Sequence, residues 1–137
     1  MNEEANKRIV EEGYGHFGSG NIAALLESYS EKIEWTTPTI EGAPFSGTVN
    51  GRGEVAKFFT KLGDAEEFTL FEPTEFIAQG DKVVVLGKSA ATIKSTGRNF
   101  ETDWVHIFTV KDGKVTNFVE FLDTAGAERA YQKAVAV

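Results

Sequence analysis

Two segments in which polar and apolar residues alternate, joined by a Lys-Asp-Gly turn, dominate the second half of the chain. The run from Thr102 to Arg129 reads TDWVHIFTVKDGKVTNFVEFLDTAGAER. On both sides of the turn the polarity alternates with period two, which predicts a hairpin of two adjacent strands followed by a helix. The first strand carries His106 and the second carries Glu120. The hairpin can therefore bring an imidazole and a carboxylate to one side of a sheet.

The geometry of the turn decides whether these two side chains share a face. Residues 110–115 suit a three-residue loop, in which a type I turn is followed by Gly113 in the left-handed conformation with a bulge. That loop pairs Val110 with Lys114. It puts one set of side chains on a common face: Trp104, His106, Phe108, Phe118 and Glu120. A two-residue type I′ turn at Asp112-Gly113 is the alternative, and it would shift the register by one residue and move Glu120 away.

The other face of the hairpin is apolar as well. It carries Val105, Ile107, Val119 and Phe121. A sheet with one face in water would show a polar row there, so something should cover this face. A second copy of the chain is the simplest cover, and we expect a homodimer that packs through the outer face of the sheet.

The rest of the chain predicts helices first and strands afterwards. Apolar residues at helical spacing predict helices over about 3–17, 21–29 and 53–62. A short strand is expected over 32–36, ending before Pro38, and residues 37–51 are expected to form a loop. Four longer strands follow over about 67–78, 82–93, 98–111 and 114–122, with Pro73 marking an edge or a bulge, and a closing helix starts at Thr124, capped by Asp123 or by Thr124 itself. This order predicts one α+β domain over residues 1–137, with a curved mixed or antiparallel sheet wrapped around the N-terminal helices.

Composition excludes several classes of partner and chemistry. The net charge of −7 argues against binding to nucleic acid or to an anionic membrane surface. The absence of cysteine excludes disulfides, a thiolate nucleophile and Cys-ligated metals. The N-terminal segment is charged and no apolar run approaches the length that spans a membrane, so we expect a cytoplasmic protein.

Four segments together resemble a known family. They are Gly18–Leu26 (GSGNIAALL), Lys32–Pro38 (KIEWTTP), Phe45–Phe59 (FSGTVNGRGEVAKFF) and Asp103–Thr124 (DWVHIFTVKDGKVTNFVEFLDT). In this order they resemble the snoaL-like, ketosteroid-isomerase-related branch of the nuclear transport factor 2-like superfamily. The resemblance implies a cone-shaped, cystatin-like α+β barrel with a ligand pocket at its open end, commonly paired sheet to sheet. The fold hosts isomerases, cyclases, dehydratases, epoxide hydrolases and non-enzymatic binders, so it does not by itself assign a reaction.

The ketosteroid isomerases of this branch match only in part. Their proton-shuttling base stands just before the proline of the first strand, where this chain has Thr37. Their tyrosine on the first helix falls near Gly13, one position from Tyr14. Their protonated aspartate on the penultimate strand matches His106. The resemblance therefore argues against steroid isomerisation by that mechanism.

The epoxide hydrolases of this fold match less well and the polyketide cyclases match better. The Arg-x-Asp pair of the hydrolases falls at Lys88-Ser89-Ala90, which lacks the aspartate. The snoaL-type cyclases pair a histidine on the penultimate strand with a carboxylate on the last strand, and here His106 and Glu120 take those positions, with Glu in place of Asp.

The candidate site follows from these residues. We expect His106 and Glu120 to form an acid/base pair, with Glu120 as base or acid and His106 polarising a carbonyl. The expected reaction is a cofactor-independent isomerisation, cyclisation or lyase step on a small hydrophobic carbonyl compound, without metal. A non-catalytic binding protein for a hydrophobic metabolite, in which the two residues are a structural pair, is the alternative. The candidate ligand-contacting residues are Tyr14, Phe17, Trp35, Thr37, Phe59, Lys88, Trp104, Phe108 and Phe118.

Overall fold

The computed structural model describes residues 2–133, which form four helices and six strands. In chain order these are α1 (Glu3–Gly18), α2 (Ile22–Glu27), β1 (Tyr29–Thr37), β2 (Gly47–Asn50), α3 (Arg52–Ala65), β3 (Glu66–Gln79), β4 (Lys82–Ile93), β5 (Asn99–Lys111), β6 (Lys114–Leu122) and α4 (Thr124–Tyr131).

Side chains at the helix starts explain where three of the helices begin. Asn2, Asn21 and Asp123 each accept a hydrogen bond from a backbone N–H of the first turn of α1, α2 and α4. Such caps satisfy donors that have no partner inside the helix. The predicted cap of the closing helix at Asp123 is confirmed.

The six strands form one curved, unclosed sheet in the order β2-β1-β6-β5-β4-β3. All neighbours are antiparallel except β1 and β6, which run parallel. The predicted α+β class and the cone shape are confirmed. The main core lies on the concave inner face, where α1, α2 and α3 pack against residues of the sheet. Within residues 2–133 no helix is both long enough and apolar enough to cross a membrane.

Two boundaries differ from the prediction in the first half of the chain. Tyr29 does not end the second helix but begins β1, because Ser28 closes α2 and the Tyr29 side chain is buried under the sheet. Residues 47–50 lie in the segment predicted as a loop. They form β2 instead, since the chain doubles back after Pro38 and pairs Val49 with Trp35.

The edge strand β3 confirms the prediction made from its proline. It is the last strand of the sheet, and its register against β4 shifts between Pro73 and Glu75. Proline has no N–H to give to a ladder, so an edge or a bulge is where it is tolerated.

The turn between β5 and β6 is not the predicted three-residue loop. Lys111 pairs with Lys114, and Asp112 and Gly113 both have positive φ, at 51° and 77°, as a two-residue type I′ turn requires. The register then shifts at a bulge, because Val110 pairs with Val115 but Thr109 pairs with Asn117, which leaves Thr116 as the extra residue.

The bulge reverses the effect of the shorter turn. Without it, His106 would face Val119; with it, His106 lies directly opposite Glu120, and Phe108 opposite Phe118. The predicted turn was wrong, yet the predicted shared face is observed, because one inserted residue restores the alternation.

Candidate active site

His106 is the centre of a chain of three hydrogen-bonded side chains. The Tyr14 hydroxyl lies 2.6 Å from His106 Nδ1, and Glu120 Oε2 lies 2.8 Å from His106 Nε2. Tyr14 comes from α1, His106 from β5 and Glu120 from β6. The imidazole is 5% exposed, so its polar contacts are made inside the protein.

The protonation of this chain follows from its chemistry. Burial, with smaller contributions from Tyr29 and from the negative charge of Glu120, raises the pKa of Tyr14, so Tyr14 remains a phenol that can donate. The Tyr14 O–H then donates to Nδ1, and the other ring nitrogen carries the proton and donates to the carboxylate. Both ring nitrogens are thereby engaged within the protein. In this arrangement His106 orients Glu120 and has no N–H left for a ligand carbonyl.

Aromatic rings pack around this chain on both sides. Trp104 stacks on His106 with ring centroids 4.0 Å apart and planes at 16°, and Trp35 stacks on Phe118 with centroids 3.8 Å apart. Trp104 can occupy this position because its cross-strand neighbour is Gly87, where a Cβ would overlap the indole. The glycine therefore makes room for the wall of the site.

A cavity of about 100 Å³ remains between the helices and the inner face of the sheet. Its walls include both predicted catalytic residues and most of the predicted ligand-contacting residues: Tyr14, Phe17, Trp35, Thr37, Phe59, Trp104, His106, Phe108, Phe118 and Glu120. The phenylalanines narrow the space without filling it.

Lys88 is the candidate residue that lies elsewhere. It is exposed on the outer face of the sheet and pairs with Asp103 of β5. Inward and outward positions alternate along β4, so Ser89 takes the inward position and lines the cavity. The prediction that Lys88 contacts the ligand is therefore wrong by one position along β4.

Two kinds of polar group at the cavity were not singled out from the sequence. Glu66 lines the cavity and accepts a hydrogen bond of 2.6 Å from the Tyr131 hydroxyl. The predicted strand began at Glu67. A strand that starts one residue earlier would have placed Glu66 on the same face as Phe68. The second group is the indole N–H of Trp35 and of Trp104, since both nitrogens are buried and neither has an acceptor among the described residues.

Comparison with known proteins identifies the family of the chain. Residues 10–118 match the family model of the SnoaL-like domain. The chain belongs to the SnoaL-like family. Within the described part of this SnoaL-like protein, no three His, Asp or Glu side chains are grouped so that they could hold a metal ion. A comparison with proteins of curated function finds no match.

Several solved structures are similar to this SnoaL-like chain over nearly its whole length. An NTF2-like protein of Burkholderia xenovorans LB400 is 37% identical with a TM-score of 0.88, covering 96% of this chain and 99% of that one. An NTF2-like protein of Burkholderia thailandensis E264 is 29% identical with a TM-score of 0.85 and the same coverages. TerC, co-crystallised with polyporic acid, is 28% identical with a TM-score of 0.79, covering 93% of this chain and 98% of that one.

Proposed function

We propose that this protein binds a small hydrophobic carbonyl compound in the cavity and that Glu120 moves a proton on it, as a cofactor-independent isomerase or cyclase. One observation carries the proposal: a carboxylate held by His106, which is itself held by Tyr14, forms part of the wall of an apolar cavity. Membership of the SnoaL-like family and the similarity to TerC, which was co-crystallised with polyporic acid, support an organic ligand.

The proposed reaction uses the two oxygens of Glu120 differently. Oε2 accepts the hydrogen bond from His106, which fixes the carboxylate and leaves Oε1 for the ligand. Oε1 takes a proton from the carbon next to the carbonyl; the electron pair of the C–H bond forms a C=C bond, and the π pair of the carbonyl moves onto its oxygen to give an enolate. Return of the proton to another carbon completes an isomerisation. In a cyclisation the enolate carbon attacks a second carbonyl of the same molecule, whose oxygen becomes an alkoxide and takes the proton back from Glu120.

The enolate oxygen needs a hydrogen-bond donor, and the indoles can supply one. Trp35 and Trp104 each carry a buried N–H without an acceptor among residues 2–133, and both rings line the cavity. A ligand carbonyl would satisfy such a donor, and a donor already in place stabilises the charge that develops on that oxygen. This assigns carbonyl polarisation to an indole, and His106 becomes a positioning residue.

The size of the cavity limits the substrate. A dry protein cavity of about 150 Å³ holds a benzene molecule. A cavity of about 100 Å³ is smaller than that, and therefore excludes compounds larger than a single ring or a short chain. Cyclohexanone is a suitable probe because it combines one ring, one carbonyl and acidic α-protons.

The test is deuterium exchange at the α-carbons of cyclohexanone in D₂O, followed by proton NMR. We expect the wild type to accelerate exchange and Glu120→Gln to lose at least about 100-fold of that acceleration, the share that a positioned base contributes. Glu101→Gln is the matched control, because it removes the same charge from an exposed position of β5. Equal exchange by the wild type and Glu120→Gln would contradict the proposal.

A non-catalytic binding protein is the second candidate. The observation that favours it is that Tyr14, His106 and Glu120 satisfy one another, as a structural network would. This alternative predicts that cyclohexanone binds and that exchange does not exceed the rate in buffer.

We also propose that the protein is a homodimer through the outer face of the sheet. Among residues 2–133, the exposed large hydrophobic residues are Leu70, Ile77 and Phe121, and all three lie on strands of that sheet. Lys88 and Asp103 lie side by side on the same face. A twofold axis could therefore set Lys88 of one copy opposite Asp103 of the other. The cytoplasmic location remains a prediction.

A further inference from the structure

Glu66 is a second carboxyl on the wall of the cavity. It is the first residue of β3 and pairs with Ile93 at the end of β4, whereas His106 pairs with Val85, eight residues earlier on β4. Eight residues of flat extended strand would span about 26 Å. Glu66 and Glu120 nevertheless line one cavity, because the sheet is curved. The two carboxyls therefore approach the cavity from different ends.

Tyr131 holds Glu66 by one oxygen. Its hydroxyl donates to Glu66 Oε2 at 2.6 Å, and the tyrosine is buried among a small apolar cluster formed by Ile40, Ile93, Ala127 and Ala130. The hydrogen bonds of the Glu66 side chain within residues 2–133 involve Oε2 alone, and Glu66 forms no ion pair within that range. Oε1 is thus available to a ligand.

The surroundings favour the protonated form of Glu66. Burial raises the pKa of Glu66 above its ordinary value of 4.5, the hydrogen bond from Tyr131 lowers it, and the negative charge of Glu120 raises it. The net direction is upward. A carboxylate only accepts hydrogen bonds, whereas a carboxyl that keeps its proton also donates one. A carboxyl that donates and a carboxyl that accepts can then serve different purposes in one site.

We propose that Glu66 donates a hydrogen bond to a second oxygen of the ligand, so that the substrate is a small cyclic compound with an oxygen at each end of its ring. The inference rests on the proposed function, because the carbonyl at the Glu120 end is the one whose neighbouring carbon loses the proton. Glu66 thereby selects dioxygenated rings, such as cyclic diketones, over simple ketones.

Two probes separate this role from general binding. Cyclohexanone and 1,4-cyclohexanedione share one ring and differ by a single oxygen at the opposite position. By NMR titration we expect the wild type to bind the dione about three- to tenfold more tightly, which is what one additional net hydrogen bond gives.

Matched variants assign the preference to Glu66. Glu66→Leu should lose the preference, while Glu66→Gln should keep it because its amide N–H can donate. Glu67→Leu is the control: Glu67 is exposed on the other side of the same strand. Circular dichroism establishes that each variant is folded, and Glu66→Ala, which also lacks a donor, replaces Glu66→Leu if the latter is not.

The outcomes separate this inference from the proposed function. Equal binding of the two probes by the wild type, binding of neither, or a preference that survives in Glu66→Leu would overturn the role of Glu66. If proton exchange depends on Glu120 but the wild type shows no preference for the dione, the role of Glu66 is refuted and the proposed function stands. A Glu66-dependent preference without proton exchange leaves Glu66 as a ligand-binding residue and refutes catalysis by Glu120.

Discussion

The two hydrogen bonds of His106 determine what the imidazole can do. Tyr14 and Glu120 occupy Nδ1 and Nε2, so a ligand can reach the carboxylate but finds no free ring nitrogen. The orientation of Glu120 then depends on a tyrosine that contacts the imidazole and not the carboxylate. This makes Tyr14 the residue at which positioning can be tested separately from proton transfer.

Tyr14→Phe should change the state of His106 and leave the ring packing in place. The phenyl ring keeps the stack on Trp104, whose centroid lies 5.9 Å from that of Tyr14, but Nδ1 loses its donor. We expect a loss of about 1–3 kcal/mol in the free energy of unfolding, the cost of a buried acceptor left without a partner. Urea denaturation measures it.

The tautomer of His106 gives an independent reading of the same bond. Long-range ¹H–¹⁵N spectra of the wild type should show a neutral ring with the proton on Nε2. In Tyr14→Phe the Nδ1 signal should shift because that nitrogen loses its donor, while Nε2 keeps its proton towards Glu120. A wild-type ring protonated on Nδ1 would contradict the assigned direction of both hydrogen bonds.

Glu66 should make stability depend on pH in a defined direction. Because its pKa is raised in the folded state, the folded protein binds more protons than the unfolded chain above the ordinary value of 4.5. The contribution of Glu66 to the free energy of unfolding is therefore complete below pH 4.5 and is lost as the pH rises through the raised pKa of the folded state. Tyr131 and Glu120 are the titratable groups that act on it.

Glu66→Gln removes this titration. The melting temperature of Glu66→Gln minus that of the wild type should increase as the pH rises above about 4.5. The hydrogen bond from Tyr131 is kept, because Gln can still accept it. Glu67→Gln, on the exposed side of β3, should show no such trend. Parallel pH profiles for Glu66→Gln and the wild type would refute the raised pKa.

Among the strands, the close approach of Gly87 and Trp104 has a measurable consequence. Gly87→Ala forces the indole away, because a Cβ there would overlap the ring. We expect a destabilisation of about 1–3 kcal/mol, the usual cost of overpacking a core. Gly15→Ala in α1 is the control, as its Cβ meets nothing within 4 Å and alanine favours a helix by about 0.5–1 kcal/mol. Equal effects of the two variants would contradict the packing described for Trp104.

The strands themselves were predictable, and their registers were not. Period-two alternation placed β4 and β6 at the bounds observed, because each buries one row of side chains against the core. The bulge at Thr116 has no such signal, since a lone threonine in a strand fits either a paired or an unpaired position. Lys88 entered the candidate site through the resemblance, as the match to the arginine of the epoxide hydrolases, but alternation along β4 turns it outward.

The Tyr14–His106 bond lies beyond what a pattern can reveal. The two residues are 92 positions apart, and their meeting depends on how α1 packs across the sheet. Helical spacing placed Tyr14 on the apolar side of α1 but could not say which strand it would face. The candidate site could therefore be predicted as a set of residues, without the bonds that give each residue its role.

Taken as a whole, the protein should associate through the side of the sheet opposite the cavity. Sedimentation equilibrium should give twice the mass of the chain for the wild type and the single mass for Phe121→Lys, because Phe121 is 56% exposed on that face. Ser19→Lys adds the same charge at the exposed end of α1 and should remain dimeric. A monomeric wild type, or a dimeric Phe121→Lys, would refute the outer-face dimer.

The central claim is that the cavity beside Glu120 is the place where a ligand binds. The chain has two tryptophans, so its ¹H–¹⁵N spectrum contains two indole N–H signals, from Trp35 and Trp104. Both rings line the cavity and both donors are buried without an acceptor among the described residues. Titration with cyclohexanone should shift these signals in a saturable manner, as a carbonyl comes within reach of the donors. Indole signals that stay fixed while the compound reaches millimolar concentration would contradict the account.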